Sequence, residues 1–349
     1  MRTRRYNKKI IGMLMLPLVV GSVSATPVFS ADLTPAAGET VTLSGQSNVD
    51  RIVATGDGVN VTLTEDAKLA VDNAYPSVYL YGGSTVTLNA GSSISNNTSA
   101  DNWVYAPAVS IINNNFTANT TNTVTLNNAT INANSTGNYV HPSGIYLQDY
   151  SNDGTSVVTL DNNSHVNTTS TVTNLDWTYA HALGVYVGGT KNAIVTLSNN
   201  SSVSVTAVSD TAGFTNASAE VSWSTKGIYA DSQTDGVASI TLSDNSSVNV
   251  TGSASSDSWS STGFINGVYA NSQGGGDAII TLDSGSSVNI GTNATVNGTY
   301  AFAASNHIYG LTAWTDYGDT VITLNNDSSV SAVATVTMEN AVDPDDIKA

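Results

Sequence analysis

Three carboxylate pairs lie close enough in the chain to suggest acid–base work: Asp231 with Asp235, Asp153 with Asp161, and Asp316 with Asp319. Glycoside hydrolysis needs two carboxylates at a fixed separation. All six sit in polar turn-type stretches, where Asp is ordinary. A polysaccharide lyase would need a base to abstract a proton, and often clustered acids to hold calcium. Past the first 25 residues the chain has one arginine, Arg51. His141, His165, His181 and His307 are far apart, without the paired spacing of a metal site, and surface positions are expected for them. Asp283-Ser284-Gly285-Ser286 is similar to a secreted serine protease's nucleophile loop, but it stands where other repeats carry their polar turn. Gly274-Gly275-Gly276-Asp277 is similar to a calcium roll, but it occurs once, and that fold needs tandem copies. These residues predict a chain that is not an enzyme, with no catalytic group, no cofactor and no metal site.

The remaining contact chemistry is aromatic. A short motif recurs as SVYLY at Ser77–Tyr81, GIYLQ at Gly144–Gln148, GVYVG at Gly184–Gly188, GIYAD at Gly227–Asp231, GVYAN at Gly267–Asn271 and HIYGL at His307–Leu311. In an extended strand Ile228 and Ala230 point one way and Tyr229 the other. The apolar or small residue after the tyrosine suits an interior. Tyr79, Tyr146, Tyr186, Tyr229, Tyr269 and Tyr309 are therefore expected to face outward, stacked one per rung; the inward arrangement is the alternative. Trp177, Trp223 and Trp259 fall in variable segments between the motifs. Exposed aromatics can bind sugars or proteins. A stack that merely steadies neighbouring rungs is the other reading.

What must position these side chains is a repeat. SITLSDNSSVNV at Ser239–Val250 recurs as TVTLNNATI at Thr123–Ile131, VVTLDNNSHV at Val157–Val166, IVTLSNNSSVSV at Ile194–Val205, IITLDSGSSVNI at Ile279–Ile290 and VITLNNDSSVSA at Val321–Ala332. Weaker copies begin at Val41, Asn60 and Thr85. Nine leucines mark the unit, from Leu43, Leu63 and Leu88 through Leu126, Leu160 and Leu197 to Leu242, Leu282 and Leu324. Period two puts Ile240, Leu242, Val248 and Val250 on one face and Thr241 and Asn249 on the other. Asn-Asn and Asp-Asn pairs supply turns, because Asn tolerates left-handed backbone. The prediction is an all-β solenoid, a parallel β-helix of roughly nine imperfect rungs over residues 40–338, with rungs ~4.8 Å apart. Leucine spacing grows late in the chain. The extra residues, among them Thr206–Thr225 and Gly252–Phe264, form lengthened strands, protruding loops or a second coil per repeat.

Charged residues make up 11% of the chain, against roughly 25% in ordinary globular proteins. The formal charge is −17, and there is no cysteine. Residues 1–25 hold five of the ten bases and no acid, so the rest has five bases against 27 acids. Such a chain lacks the cations that displace counterions from nucleic acid, which excludes that partner class and docking on an anionic membrane surface. Met1–Lys9 is basic, Ile10–Val20 apolar but too short to span a bilayer, and Ser22–Ala25 small; this is a secretory signal, with no membrane span expected in the mature chain. Residues 26–39 read as a lead-in and 339–349 as an acidic tail that stops the stacking.

The export signal, the cysteine-free Asn/Ser/Thr/Gly-rich chain and the degenerate x-[IV]-T-L…S-S-V repeats together resemble the passenger regions of Gram-negative autotransporters, particularly the self-associating AIDA-type adhesins. The resemblance covers residues 40–338 and is compositional. It implies a right-handed parallel β-helix at the cell surface, outer membrane or extracellular, acting in adhesion or self-association. The partners it implies are other surface molecules, glycans or copies of the same chain. The chain departs from the family at Lys348-Ala349, where no C-terminal barrel segment follows; a truncated relative would be periplasmic. A glycan-binding or glycan-cleaving β-helix is the alternative function. The possible contact face is Tyr146, Tyr186, Tyr229, Tyr269, Tyr309, Trp177, Trp223 and Trp259.

Overall fold

The computed structural model describes residues 31–339 and the strand Ile347–Lys348, except 47–48, 73, 101–103, 117–118, 138–139, 152, 174–176, 212–216, 222–224, 299–301 and 306. Among the described residues every strand pairing is parallel, and the strands form four sheets wound coil upon coil into a parallel β-helix. The tyrosine sheet, the leucine sheet and the serine–valine sheet follow one another in each coil.

The leucine sheet has nine strands, from Thr40–Leu43 to Thr320–Leu324. Its nine marker leucines are paired one upon the next without a slip. Alternation decides this register, because a one-residue shift would turn every apolar side chain outward. Ile240, Leu242 and Val248 are fully buried, while Thr241 and Asn249 face out. One continuous core runs from Ile52 to Ile290. Burying each Leu or Ile in it contributes roughly 1.5–3 kcal/mol relative to exposure.

The polar turn after each leucine strand has a physical rationale. Asn162 and Asn163 have φ of 53° and 60°, Asn199 and Asn200 54° and 61°, Asp244 and Asn245 53° and 60°. Two successive left-handed residues suit Asn, Asp and Gly, whose side chains resist that region least. The first serine of S-S-V then locks the corner from inside. Ser164, Ser201 and Ser286 donate their hydroxyls to the carbonyls of Asp161, Ser198 and Asp283 at 2.5, 2.7 and 2.6 Å. Ser284 has φ 52° in the same turn, so Asp283–Ser286 is a corner like the others.

The late repeats are single coils with a fourth side. Strands of the serine–valine sheet lengthen to Ser202–Asp210, Ser247–Ser256 and Ser287–Asn297. A fourth sheet follows, built from Trp177–Ala180, Ser218–Val221, Trp259–Thr262, Phe302–Ser305 and Ile347–Lys348. Among the described residues the extra segments supply strands to the same coil, not a second coil. The solenoid also starts before residue 40, because Leu33 bridges Ile52 and Asp32 pairs with Arg51. The segment expected to stop the stacking rejoins the fourth sheet at Ile347–Lys348.

A column of glycines seats the tyrosine sheet against the serine–valine sheet. Gly144, Gly184, Gly227, Gly267 and Gly310 each meet a valine side chain of the opposite sheet where a Cβ would stand. At Gly227 such a Cβ would also lie 2.5 Å from the carbonyl oxygen of Gly267 in the next coil. The glycine of G-[IV]-Y is thus a clearance for close approach.

Candidate functional site

The tyrosines face outward, and four of them form an unbroken row. Tyr146, Tyr186, Tyr229 and Tyr269 are paired rung by rung. Their inward neighbours Ile145, Leu147, Ile228 and Ala230 are fully buried. Ser110 separates Tyr79 from the row, although Tyr105 packs edge-on against Tyr146 at 5.0 Å. Tyr309 is outside the row, a correction to the expected stack. It pairs with Asn266, and Thr312 takes the place above Tyr269. The physical reason is the clearance column: Gly310 aligns with Gly267, so the last motif is Gly310-Leu311-Thr312 rather than His307-Ile308-Tyr309.

The rings stack on each other. Tyr146 and Tyr186 lie 4.7 Å apart at 17°, Tyr229 and Tyr269 4.9 Å at 10°, and Tyr186 meets Tyr229 edge-on at 5.3 Å. Lys226 Nζ lies 4.2 Å from the Tyr229 ring centre and 5.5 Å from that of Tyr269. The Tyr186 hydroxyl donates to Gln148 Oε1 at 2.6 Å. Asp231 is buried beside them and accepts from Asn271 at 2.7 Å and Gln273 at 3.3 Å. Burial pushes the Tyr146 hydroxyl to about 12, and burial, then the Asp231 carboxylate, raises Tyr186 and Tyr229 further. Burial also raises Asp231, against the hydrogen bonds from Asn271 and Gln273, and lowers Lys226. The row therefore stays neutral through the physiological range. A sugar needs a free ring face to stack on, and in the Tyr146–Tyr186 and Tyr229–Tyr269 pairs one face of each ring is covered by its neighbour. The arrangement suits a stabilising spine better than a sugar platform.

Trp177 and Trp259 lie on the fourth sheet, away from the row. They share one rank with Ser218 and Phe302, and Trp259 stacks on Phe302 at 6.3 Å and 11°. Trp223 lies outside the described residues. The seven described residues of the expected contact face are thus divided among separate places.

The histidines were expected at isolated surface positions, and two of them are not. His141 and His181 stand five residues before Tyr146 and Tyr186, so one coil brings their rings to 3.7 Å. His181 is 4% exposed. They border a small cavity with Tyr105, Pro142 and Leu183. Reading the histidines in the G-[IV]-Y frame would have found the pair. Burial lowers His141 to about 4; burial and then His141 lower His181 to about 2. In the unfolded chain both titrate near their ordinary 6.5. Between that pH and about 4 the unfolded state binds more protons, so stability falls as pH drops through this window. The urea midpoint is expected to fall between pH 7 and pH 5, and His181→Leu to fall less. An equal fall in a folded variant would contradict this assignment.

Asp231 departs from the expected turn position, lying buried on the strand Lys226–Ser232, while other carboxylates serve the turns. Asp161 accepts from Ser198 at 2.8 Å and Asn199 at 2.6 Å, which with the Asn162 backbone amide keep it below its ordinary value. Asp153 pairs with Lys191 at 3.3 Å. Asp277 accepts from the Asp319 backbone amide at 3.0 Å. Among the described residues no group of three or more His, Asp or Glu could hold a metal ion.

Polar ladders cover the other faces. On the serine–valine sheet Asn134 donates to Asn97 at 3.0 Å, Asn167 to Asn132 at 3.0 Å and Asn289 to Asn249 at 3.1 Å. Its six strands from Ser93–Ser99 to Ser287–Asn297 carry Ser, Thr and Asn at nearly every outward position, and Asp210 is their one outward carboxylate. Comparison of the chain with protein-family models, curated proteins and solved structures gives no match.

Proposed function

We propose that this chain is an exported adhesion scaffold that associates with copies of itself at or outside the cell surface, as its resemblance to AIDA-type autotransporter passengers implies. The observation that supports this most is the serine–valine face, a wide rank-and-file array of hydroxyls and amides across successive coils. Two such faces laid side by side can exchange hydrogen bonds. Each contributes only about 0.5–1.5 kcal/mol net, but repetition along the coils multiplies the weak contacts as avidity. The excess of acids elsewhere opposes the approach of two copies, and salt weakens that opposition. Association is therefore expected to strengthen with moderate salt.

The test places like charges on this face. Thr169 and Thr251 stand in one rank, two coils apart, with Thr206 between them. Thr169→Asp with Thr251→Asp is expected to abolish self-association in sedimentation and cell-settling assays while keeping the β-type circular dichroism. Unchanged association of the folded double variant would contradict the proposal.

A further inference from the structure

The outward face of the leucine sheet takes no part in the reading above. It carries one threonine from every strand, nine in a single rank from Thr42 through Thr159, Thr196 and Thr241 to Thr323. A second rank lies two residues earlier on each strand. It holds Thr40, Asn60, Thr85 and Thr123 toward one end and Val157, Ile194, Ser239, Ile279 and Val321 toward the other, so seven of its nine side chains are β-branched. Neither rank contains a charged side chain, although the chain has 27 acids. Among the described residues no hydrogen bond engages the hydroxyls of the nine-threonine rank.

Three physical properties follow. The spacing is a rectangular net, about 4.8 Å from strand to strand and about 6.6 Å between ranks. Threonine, valine and isoleucine are stiff at χ1, so hydroxyls and methyls are held at lattice points before anything binds. The two ranks are themselves uncharged, with Asp161 standing outward on the same sheet two residues beyond Thr159, so along the ranks water is held by geometry and not by ionic hydration. A soluble polymer or a loop does not offer a matching net; a crystal face does. The oxygen rows on prism faces of hexagonal ice form an uncharged rectangular net whose short repeat is close to the strand spacing. We propose that the outward face of the leucine sheet binds ice, with the threonine hydroxyls taking lattice positions and the β-branched methyls seated between them. The face is separate from the serine–valine sheet, so this proposal and the self-association proposal can fail independently.

The experiment uses the purified exported chain in dilute buffer. Expected results are faceted ice crystals with a measurable gap between melting and freezing points, and uptake of the protein into slowly grown ice. Thr159→Lys with Thr241→Lys is expected to return all three to the level of buffer while preserving circular dichroism and self-association. Thr169→Asp with Thr251→Asp, on the other face, is expected to leave them intact. Round crystals and exclusion from ice to the level of albumin would overturn the proposal. So would ice activity that survives the lysine pair. Binding to crystalline cellulose or chitin without ice activity would also overturn it and move the face to a polysaccharide. Loss of self-association in the lysine pair, with no ice activity in the unsubstituted chain, would overturn it in favour of a second copy.

Discussion

Gly227→Val is expected to disrupt the central coils. A Cβ at this position would stand 2.5 Å from the Gly267 carbonyl oxygen, with Val248 filling the other side. Backbone cannot step aside as the end of a flexible side chain can. Overpacking costs about 1–3 kcal/mol in ordinary cores and more where the main chain itself must move. The column repeats at Gly184 and Gly267, so the strain cannot be passed to an adjacent coil. A large drop in the urea midpoint should appear, with new proteolytic cleavage near residue 227. Gly291 supplies the control: a Cβ there meets nothing within 4 Å. Gly291→Val is expected to change stability by less than about 0.5 kcal/mol, the usual range for surface substitutions. If both variants behaved alike, the clearance argument would be wrong.

Asp149→Leu is expected to be comparably severe for a different reason. Asp149 is fully buried at the corner between the tyrosine and leucine sheets. It accepts hydrogen bonds from Asn113 at 2.9 Å, Asn122 at 3.2 Å, Thr120 at 2.6 Å and both the amide and hydroxyl of Ser151 at 2.9 and 2.6 Å. Leucine leaves these donors facing apolar atoms. Each buried donor left unsatisfied costs about 1–3 kcal/mol. Other coils use a smaller device at this corner. Gly189 and Ser232 stand in register with Asp149, and Ser232 donates to the Lys191 carbonyl at 2.6 Å. Asp149→Ser should therefore recover part of the loss, since Ser151 and Asn113 can regain a partner. Thermal melts of the leucine and serine variants would show it; equal melting would contradict the hydrogen-bond account.

The repeat made much of the fold readable in advance. Alternation in I-T-L and V-N-V, with an apolar residue at every inward position, leaves one register in which all nine leucines are buried or stacked. The Asn and Asp pairs that follow the leucine strands announced left-handed turns, and positive φ values fall there. The outward tyrosines were readable because Ala230 and Ala270 are small enough to face inward at a crowded sheet. Other features were not readable. Whether a long repeat is one coil or two leaves no trace in a period of two, because either choice alternates alike; strand pairing alone decides it. Tyr309 was misplaced because the tyrosine was used to align the motif, when the glycine beside the opposite valine is the constrained position. The histidine pair was missed because 40 residues of chain looked like distance, when in this fold they amount to one step. Which neighbouring tyrosines stack and which meet edge-on depends on side-chain torsions that spacing does not encode.

One in-register coil per repeat underlies every ladder and every proposal above. A chain with no cysteine allows spin labels to be placed at will. Thr125→Cys with Thr323→Cys puts labels on two outward threonines of one rank, separated by the strands that carry Thr159, Thr196, Thr241 and Thr281. Five rung steps predict a backbone separation of about 24 Å. A label-to-label distribution centred near that value is the expected result. A distribution centred near twice that distance would mean two coils per repeat, and would contradict the account.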